Sequence, residues 1–335
     1  MRSGRRRVSP ADALLTGALL AALAACSGPG AGAVVTAPEP AASPVPTAAP
    51  AGRVLPSGPV SALAVDPVTG TLAVAVTGPN RVLLHELADL AAPARSVGLP
   101  GPATALSTAG GTLLVAAGAL TEVDLPRGAA PATVRSGGSV RDAVAVGDST
   151  VVALGSQIAV LDARGEVLRT VAGFADAARL VVTGDGVVVL DRGRTALSVL
   201  DPAAGEAGPA LRAGEGATAA VGDRFGRTLV LDTRDGELLV FAGDPLLLRQ
   251  RYPVSGSPYG IAYDARRDLA WVTLPARNEV VGLDVAGGEP VERYRFPTVR
   301  QPDSVAVDPG SGQVFVGSAS GAGLQVVDPG QVVAR

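Results

Sequence analysis

Short apolar runs recur along most of the chain, each closed by Asp or Gly and separated from the next by a polar turn. The unit is plain in SALAVDPVTGTLAVAVTGPNRVLLHEL (Ser61 to Leu87), GIAYDARRDLAWVTLPARNEVVGLD (Gly260 to Asp284) and SVAVDPGSGQVFVGSASGAGLQVVD (Ser304 to Asp328). Within the runs Val, Leu and Ala follow one another instead of alternating with polar residues, the pattern of strands buried on both faces. Asp-Gly pairs such as Asp185-Gly186 and Asp235-Gly236 fall between apolar runs, where they predict hairpin turns. The residue closing the first strand of each unit is Asp66, Gly110, Asp148, Asp185, Asp223, Asp264 and Asp308, at intervals of 37 to 44 residues. A fourth strand is expected between units at GEVLRTVAG (Gly165 to Gly173), PLLLRQRYPV (Pro245 to Val254) and PVERYRFPT (Pro290 to Thr298).

Strands at a period of about 40 residues, with Gly, Asp and Pro turns, give each period one four-stranded sheet. The fold class expected is therefore all-β, a seven-bladed β-propeller of four-stranded antiparallel blades over residues 53–335. Too little chain follows Asp308 for a full last unit, whereas Arg53 to Val65 precedes the first marker. The segment Arg53 to Leu55 is expected to serve as the outer strand of the last blade and close the ring, with Gln331 to Ala334 as the competing candidate.

Upstream, Arg2, Arg5, Arg6 and Arg7 lead into the apolar stretch Ala11 to Ala25 and then small residues, the order of a secretory signal and too short to span a bilayer. Leu23-Ala24-Ala25-Cys26, followed by Ser27-Gly28, resembles the lipobox of bacterial lipoproteins. The resemblance implies removal of residues 1–25 and diacylation of Cys26, the sole cysteine. Two acyl chains would hold the protein stably on the outer face of the cytoplasmic membrane, in the cell envelope. The arginine cluster leaves general secretion and twin-arginine export both open. Residues 26–52 are Pro/Ala-rich with Glu39 as their only charge, a composition read as a disordered, semi-extended tether.

Every cationic side chain but one histidine is arginine, and the abundance of Ala, Gly, Val and Pro suits an actinobacterial-type envelope protein. The formal charge is −3, and removing residues 1–25 takes away four arginines and Asp12 to leave −6. Such a chain offers no footprint for nucleic acid.

Trp271-Val272-Thr273-Leu274 followed by Asn278-Glu279-Val280-Val281-Gly282-Leu283-Asp284 is similar to the YVTN-type propeller repeat. Pro258-Tyr259-Gly260-Ile261-Ala262 and Pro302-Asp303-Ser304-Val305-Ala306 resemble the segments leading into the first strands of such repeats. The first, sixth and seventh units match well; the second to fifth are eroded. Relatives of this kind include envelope proteins and lactonases, the latter using a channel calcium or a His/Arg/Glu cluster.

The residues supply little for such chemistry. His85, the sole histidine, lies in a strand with no Gly-framed nucleophile near it, no Cys/His cluster exists for zinc, and lysine is absent. Asp232-Thr233-Arg234-Asp235-Gly236-Glu237 lacks the third acidic position and distant glutamate of a calcium loop. Asn80 and Asn278 occupy turns, and Gly137-Gly138 follows no strand–helix pattern for phosphate. No catalytic residue, metal or cofactor is assigned, and a monomer is expected.

The function expected is a non-enzymatic binding or scaffolding module, with a lactonase-like hydrolase as the alternative and a purely architectural wall role as a third reading. Three or more acidic or Asn side chains converging in the channel would favour the enzyme; a channel of Ala, Val and Ser would favour binding. Loops leading into first strands and turns joining second to third strands share one face around the channel mouth. The former supply Arg141, Asp142, Asp176, Tyr259 and Asp303. The latter supply Asn80, Arg81, Asp191, Arg192, Arg194, Arg234, Asp235, Arg277 and Asn278. Arginine forks there suit an envelope protein or a polar, carboxylate-bearing ligand, with Tyr259 as an aromatic anchor.

Overall fold

The computed structural model describes residues 33–127, 132–134, 138–184, 186–243 and 245–331. The signal, Cys26, Gly137, Asp185 and the rival closing segment beyond Gln331 lie outside the described residues. Strand β1 (Arg53–Leu55) comes first. The first sheet follows as β2 (Val60–Asp66), β3 (Thr71–Val76), β4 (Arg81–Glu86) and β5 (Arg95–Gly98), and the second as β6 (Ala105–Ala109), β7 (Thr112–Ala117), β8 (Ala119–Asp124) and β9 (Ala132–Val134). Then come β10 (Asp142–Val146), β11 (Ser149–Ala153), β12 (Gly155–Leu161), β13 (Val167–Thr183), β14 (Gly186–Asp191), β15 (Ala196–Asp201), β16 (Glu206–Ala207) and β17 (Leu211–Arg212). Two more sheets are β18 (Ala217–Gly222), β19 (Thr228–Asp232), β20 (Glu237–Ala242), β21 (Leu247–Pro253), and β22 (Ile261–Asp264), β23 (Leu269–Leu274), β24 (Glu279–Asp284), β25 (Val291–Pro297). Last are β26 (Pro302–Val307), β27 (Val314–Ser318) and β28 (Leu324–Val327).

Among the described residues all strand pairings are antiparallel, and they join chain neighbours except for β17 on β15 and for one pairing that closes the ring. Strand β1 pairs with β28 in the register Arg53↔Val326, Val54↔Gln325 and Leu55↔Leu324, so the last sheet runs β1-β28-β27-β26. The expected closure by the N-terminal strand is what the structure contains. The Gln325 amide reinforces it by donating to the Ala51 carbonyl at 2.8 Å and to the Pro297 carbonyl at 3.0 Å.

The expectation of seven separate blades is corrected. Among the described residues there are five four-stranded sheets and one sheet of eight strands, β10 to β17. The cause is β13, a 17-residue strand that pairs with β12 along its first half and with β14 along its second. Pro59, Pro102 and Pro258 interrupt three of the passages into the next sheet, and the proline-free passage 213–216 also ends the ladder, whereas β13 runs on through Val171-Ala-Gly-Phe-Ala-Asp-Ala177. The chain stays extended there and absorbs the change of direction in register shifts. The two halves of this sheet still pack face to face through Val151, Ile158, Val187, Val189 and Leu200, all buried.

The innermost strands β2, β6, β10, β13, β18, β22 and β26 each neighbour the next, and β26 returns to β2. They surround a central cavity, while Val and Leu of the middle strands fill the space between facing sheets. One interface holds an aromatic cluster: Trp271, fully buried, lies 5.5 Å from the Tyr294 ring and 6.0 Å from the Phe296 ring. Gly282 faces it in register, and a Cβ there would come within 2.9 Å of the indole.

The segment 34–52, read from composition as a free tether, is extended but lies against the sheets, held from Val35 to Ala51 by hydrogen bonds to loops of the ring.

Candidate binding site at the channel mouth

A cavity of about 620 Å³ opens among the seven innermost strands. Its walls are apolar, with Leu63, Leu106, Val144, Leu180, Ile261 and Val305 each contributed by a different strand. Its mouth is charged, because the loops leading into these strands must start in water while their next residues line the ring. Arg141 faces Asp176 at 3.6 Å. Asp142 is buried and accepts from the Ala143 and Leu180 amides, both at 2.9 Å. Burial pushes its carboxyl up, opposed by the Arg179 guanidinium. Arg179 itself donates to the Ala178 carbonyl at 2.7 Å and the Thr104 carbonyl at 3.2 Å.

On the other side of the mouth sit Tyr259 and Asp303. Burial pushes the Tyr259 phenol up, with Arg192 pulling it down and Glu39 pushing the same way as burial. The Asp303 carboxyl is pushed up to about 6, chiefly by burial; the Gln301 amide opposes this and the negative charge of Glu39 adds to it.

Glu39 and Pro40 also line the cavity, because the segment 34–51 crosses its mouth. The Val35 amide donates to the Gly193 carbonyl at 2.7 Å. Side chains then take up the carbonyls of the strap: Arg234 bonds Thr36 at 2.8 Å, Arg192 bonds Pro38 at 3.3 Å, Gln301 bonds Ala41 at 3.0 Å and Asn278 bonds Pro44 at 3.0 Å. Ser43 is buried; its hydroxyl donates to the Pro275 carbonyl at 2.6 Å and accepts from the Gln301 backbone N–H at 3.1 Å, and its own N–H donates to Gln301 Oε1 at 2.9 Å.

Of the fourteen residues expected on the binding face, Tyr259, Asp303, Arg141, Asp142, Asp176 and Arg192 line this one cavity, and Asn80, Arg81, Asp191 and Asp235 do not. Arg192, Arg234 and Asn278 hold the strap. Arg194 is turned instead to Asp191 and the Gly173 carbonyl, and Arg277 lies beside Gly256, away from the cavity. Sequence reasoning missed Arg179, Gln301, Ser43 and Glu39. Only Glu39 carried a signal, as the single charge in an otherwise uncharged segment.

The channel meets both halves of the sequence criterion: four carboxylates, of Glu39, Asp142, Asp176 and Asp303, line apolar walls. Asp142, Asp176 and Asp303 are already taken up by protein donors. Among the described residues the three acidic groups close enough to share an ion are Asp232, Asp235 and Glu237, which lie elsewhere. There Asp232 caps its own turn and Glu237 pairs with Arg251 at 2.6 Å. His85 is a half-buried strand residue whose imidazole burial pushes down. A cavity of about 560 Å³ beside the first two sheets has both its arginines engaged, Arg95 by the Leu125 carbonyl and Arg127 by Asp124.

No family model and no curated protein matches the sequence. Solved structures do resemble the fold. A chain of Kuenenia stuttgartiensis hydrazine synthase has a TM-score of 0.69 at 15% identity, over 85% of this chain and 98% of that one. A chain of a mitotic checkpoint complex has 0.70 at 12% identity, over 87% and 96%. The β-propeller domain of Myceliophteria thermophila Cps50 (Swd1) has 0.69 at 17% identity, over 82% and 99%. With the closed ring of innermost strands, these likenesses make the chain an all-β propeller. Its particular character lies in the strap that crosses the channel mouth, since so low an identity carries fold and not function.

Proposed function

We propose that this propeller is a lipid-anchored envelope protein that binds a polar partner on its channel-mouth face. The observation that supports this most is that the face already holds an extended segment of its own chain through side-chain donors. The lipobox-like run ending at Cys26 supports anchoring on the outer face of the cytoplasmic membrane, through a diacylated N-terminus. The eight-stranded sheet counts as two units in this reading, giving seven repeats related to the YVTN type.

Two measurements test it. Cys26→Ala is expected to release the protein from membranes or block its processing; a variant that stays with membranes after a salt wash refutes lipid anchoring. Crosslinking on intact cells is expected to capture a partner through the channel-mouth face; crosslinks confined to the opposite face refute the assignment.

A hydrolase is the second reading, supported by Asp303, whose carboxyl near 6 suits a general base beside Tyr259 and Arg192. It requires lactone or ester hydrolysis that Asp303→Asn abolishes.

A further inference from the structure

The groove beneath the strap is built for a particular kind of chain. Prolines 38, 40, 44, 46 and 50 leave the segment few N–H groups to donate, and an extended Pro-rich chain presents its carbonyls outward without internal hydrogen bonds. The ring answers with donors: Arg234, Arg192, Gln301 and Asn278 each reach a carbonyl, and Arg300 reaches that of Ser43 at 3.4 Å.

One of these donors is held at some cost. Gln301 has a φ of +55°, a left-handed backbone that such side chains rarely adopt and that persists only where the surroundings over-determine it, whereas Asn278 at +51° caps the short turn Pro275–Arg277 in a conformation asparagine tolerates. The Gln301 backbone N–H is shared between Ser43 Oγ and Asn278 Oδ1, while its amide spans Ala41, Ser43 and Asp303. One pocket takes a side chain, that of Ser43. Pro38 also lies over Gly216, where a Cβ would come within 3.0 Å of its ring. The strap buries little else, and Val34 and Val45 stand exposed.

We propose that this groove is a peptide-binding surface for an extended, proline-rich chain with a small-Ser-Pro core, and that residues 34–51 are its resident occupant in cis. The proposal rests on the reading of the channel-mouth face as the binding face and names its partner. Because Glu39 and Pro40 sit in the cavity mouth, the resident strap also covers part of the channel mouth, and a competing peptide would uncover it.

The test keeps the full-length chain and replaces residues 38–44 with a Gly/Ser stretch of equal length, leaving the groove intact. A fluorescent peptide of residues 34–47 is then titrated and followed by anisotropy. A flexible linker supplies an effective concentration of order mM in cis. The peptide is therefore expected to saturate the strap-replaced chain and to bind the unaltered protein at least about tenfold more weakly. Gln301→Ala in the strap-replaced chain is expected to abolish binding, and Ser43→Ala in the peptide to weaken it about tenfold. Equal binding of a scrambled peptide, or no binding to a strap-replaced chain that melts as the parent does, overturns the proposal. Should that chain fail to fold, hydrogen exchange in the unaltered protein decides: excess peptide is expected to speed exchange at Ser43, and an unchanged rate counts against displacement. No membrane or cell partner enters these assays, so their failure leaves the anchoring reading standing, and loss of anchoring leaves them untouched.

Discussion

Ser43→Ala tests most directly how the strap is held. The substitution removes one hydrogen bond of 2.6 Å to the Pro275 carbonyl and one of 3.1 Å from the Gln301 backbone N–H, and leaves the residue 43 N–H on Gln301 Oε1. A typical intramolecular hydrogen bond contributes a net ~0.5–1.5 kcal/mol, so two give about 1–3 kcal/mol. The Gln301 backbone N–H keeps Asn278 Oδ1 at 3.2 Å, which places the loss toward the lower end. About 1–2 kcal/mol raises the open population of the strap roughly 5- to 30-fold, and hydrogen exchange at residue 43 should quicken by that factor. Ala51 supplies an internal control, because its N–H donates to the Pro297 carbonyl beside the closing strand and does not depend on Ser43. An unchanged rate at residue 43, or a parallel rise at residue 51, would refute the view that Ser43 pins the strap.

The other expectations concern charge, packing and the face. For Asp303 the folded carboxyl is raised to about 6, so its contribution to stability is greatest below the ordinary carboxylate range and falls as pH rises through about 4 to 6. Asp303→Asn should flatten the melting temperature across that window, and a profile that keeps its slope points to another group. Trp271→Ala should cost about 3–5 kcal/mol in denaturant unfolding through the cavity it leaves, and Gly282→Ala about 1–3 kcal/mol by crowding the same indole; a neutral Gly282→Ala would mean the aromatic cluster yields. In a scan of partner capture on cells, alanine at Tyr259 and Arg192 should weaken capture while Arg266→Ala and Arg267→Ala should not. The latter two are engaged on the far face with the Gly310 carbonyl and Asp264; the reverse pattern would move the site.

The architecture was legible because its signal is periodic. Val-, Leu- and Ala-rich runs closed by Asp or Gly mark strands whatever their neighbours, and the shortage of chain after Asp308 pointed to closure by Arg53–Leu55. The eight-stranded sheet was not legible, since it depends on one strand, β13, staying extended through Val171–Ala177 in a region where the repeat is eroded. The cavity-lining set Arg141, Asp142, Asp176, Tyr259 and Asp303 could be read because loops leading into inner strands must converge. Arg179 escaped because it lies inside β13, where a strand residue reads as wall. Ser43 and Gln301 escaped for a different reason: their contact spans 258 residues of sequence, and neither partner is unusual in its own neighbourhood.

The pairing of β1 with β28 also dictates an order of events. Ala51 and Gln325 meet across 274 residues, and closing a loop of that length costs roughly 5 kcal/mol in chain entropy. Three residue pairs cannot offset that alone, so the N-terminal strand waits, unpaired, until the sheets between have assembled. The strap waits with it, since much of its seat is made by Pro275–Asn278 and Arg300–Gln301, 232 to 260 residues further along the chain. A seated strap is thus a record that the ring is finished, and protection of its hydrogen bonds would distinguish a completed molecule from one stalled a sheet short.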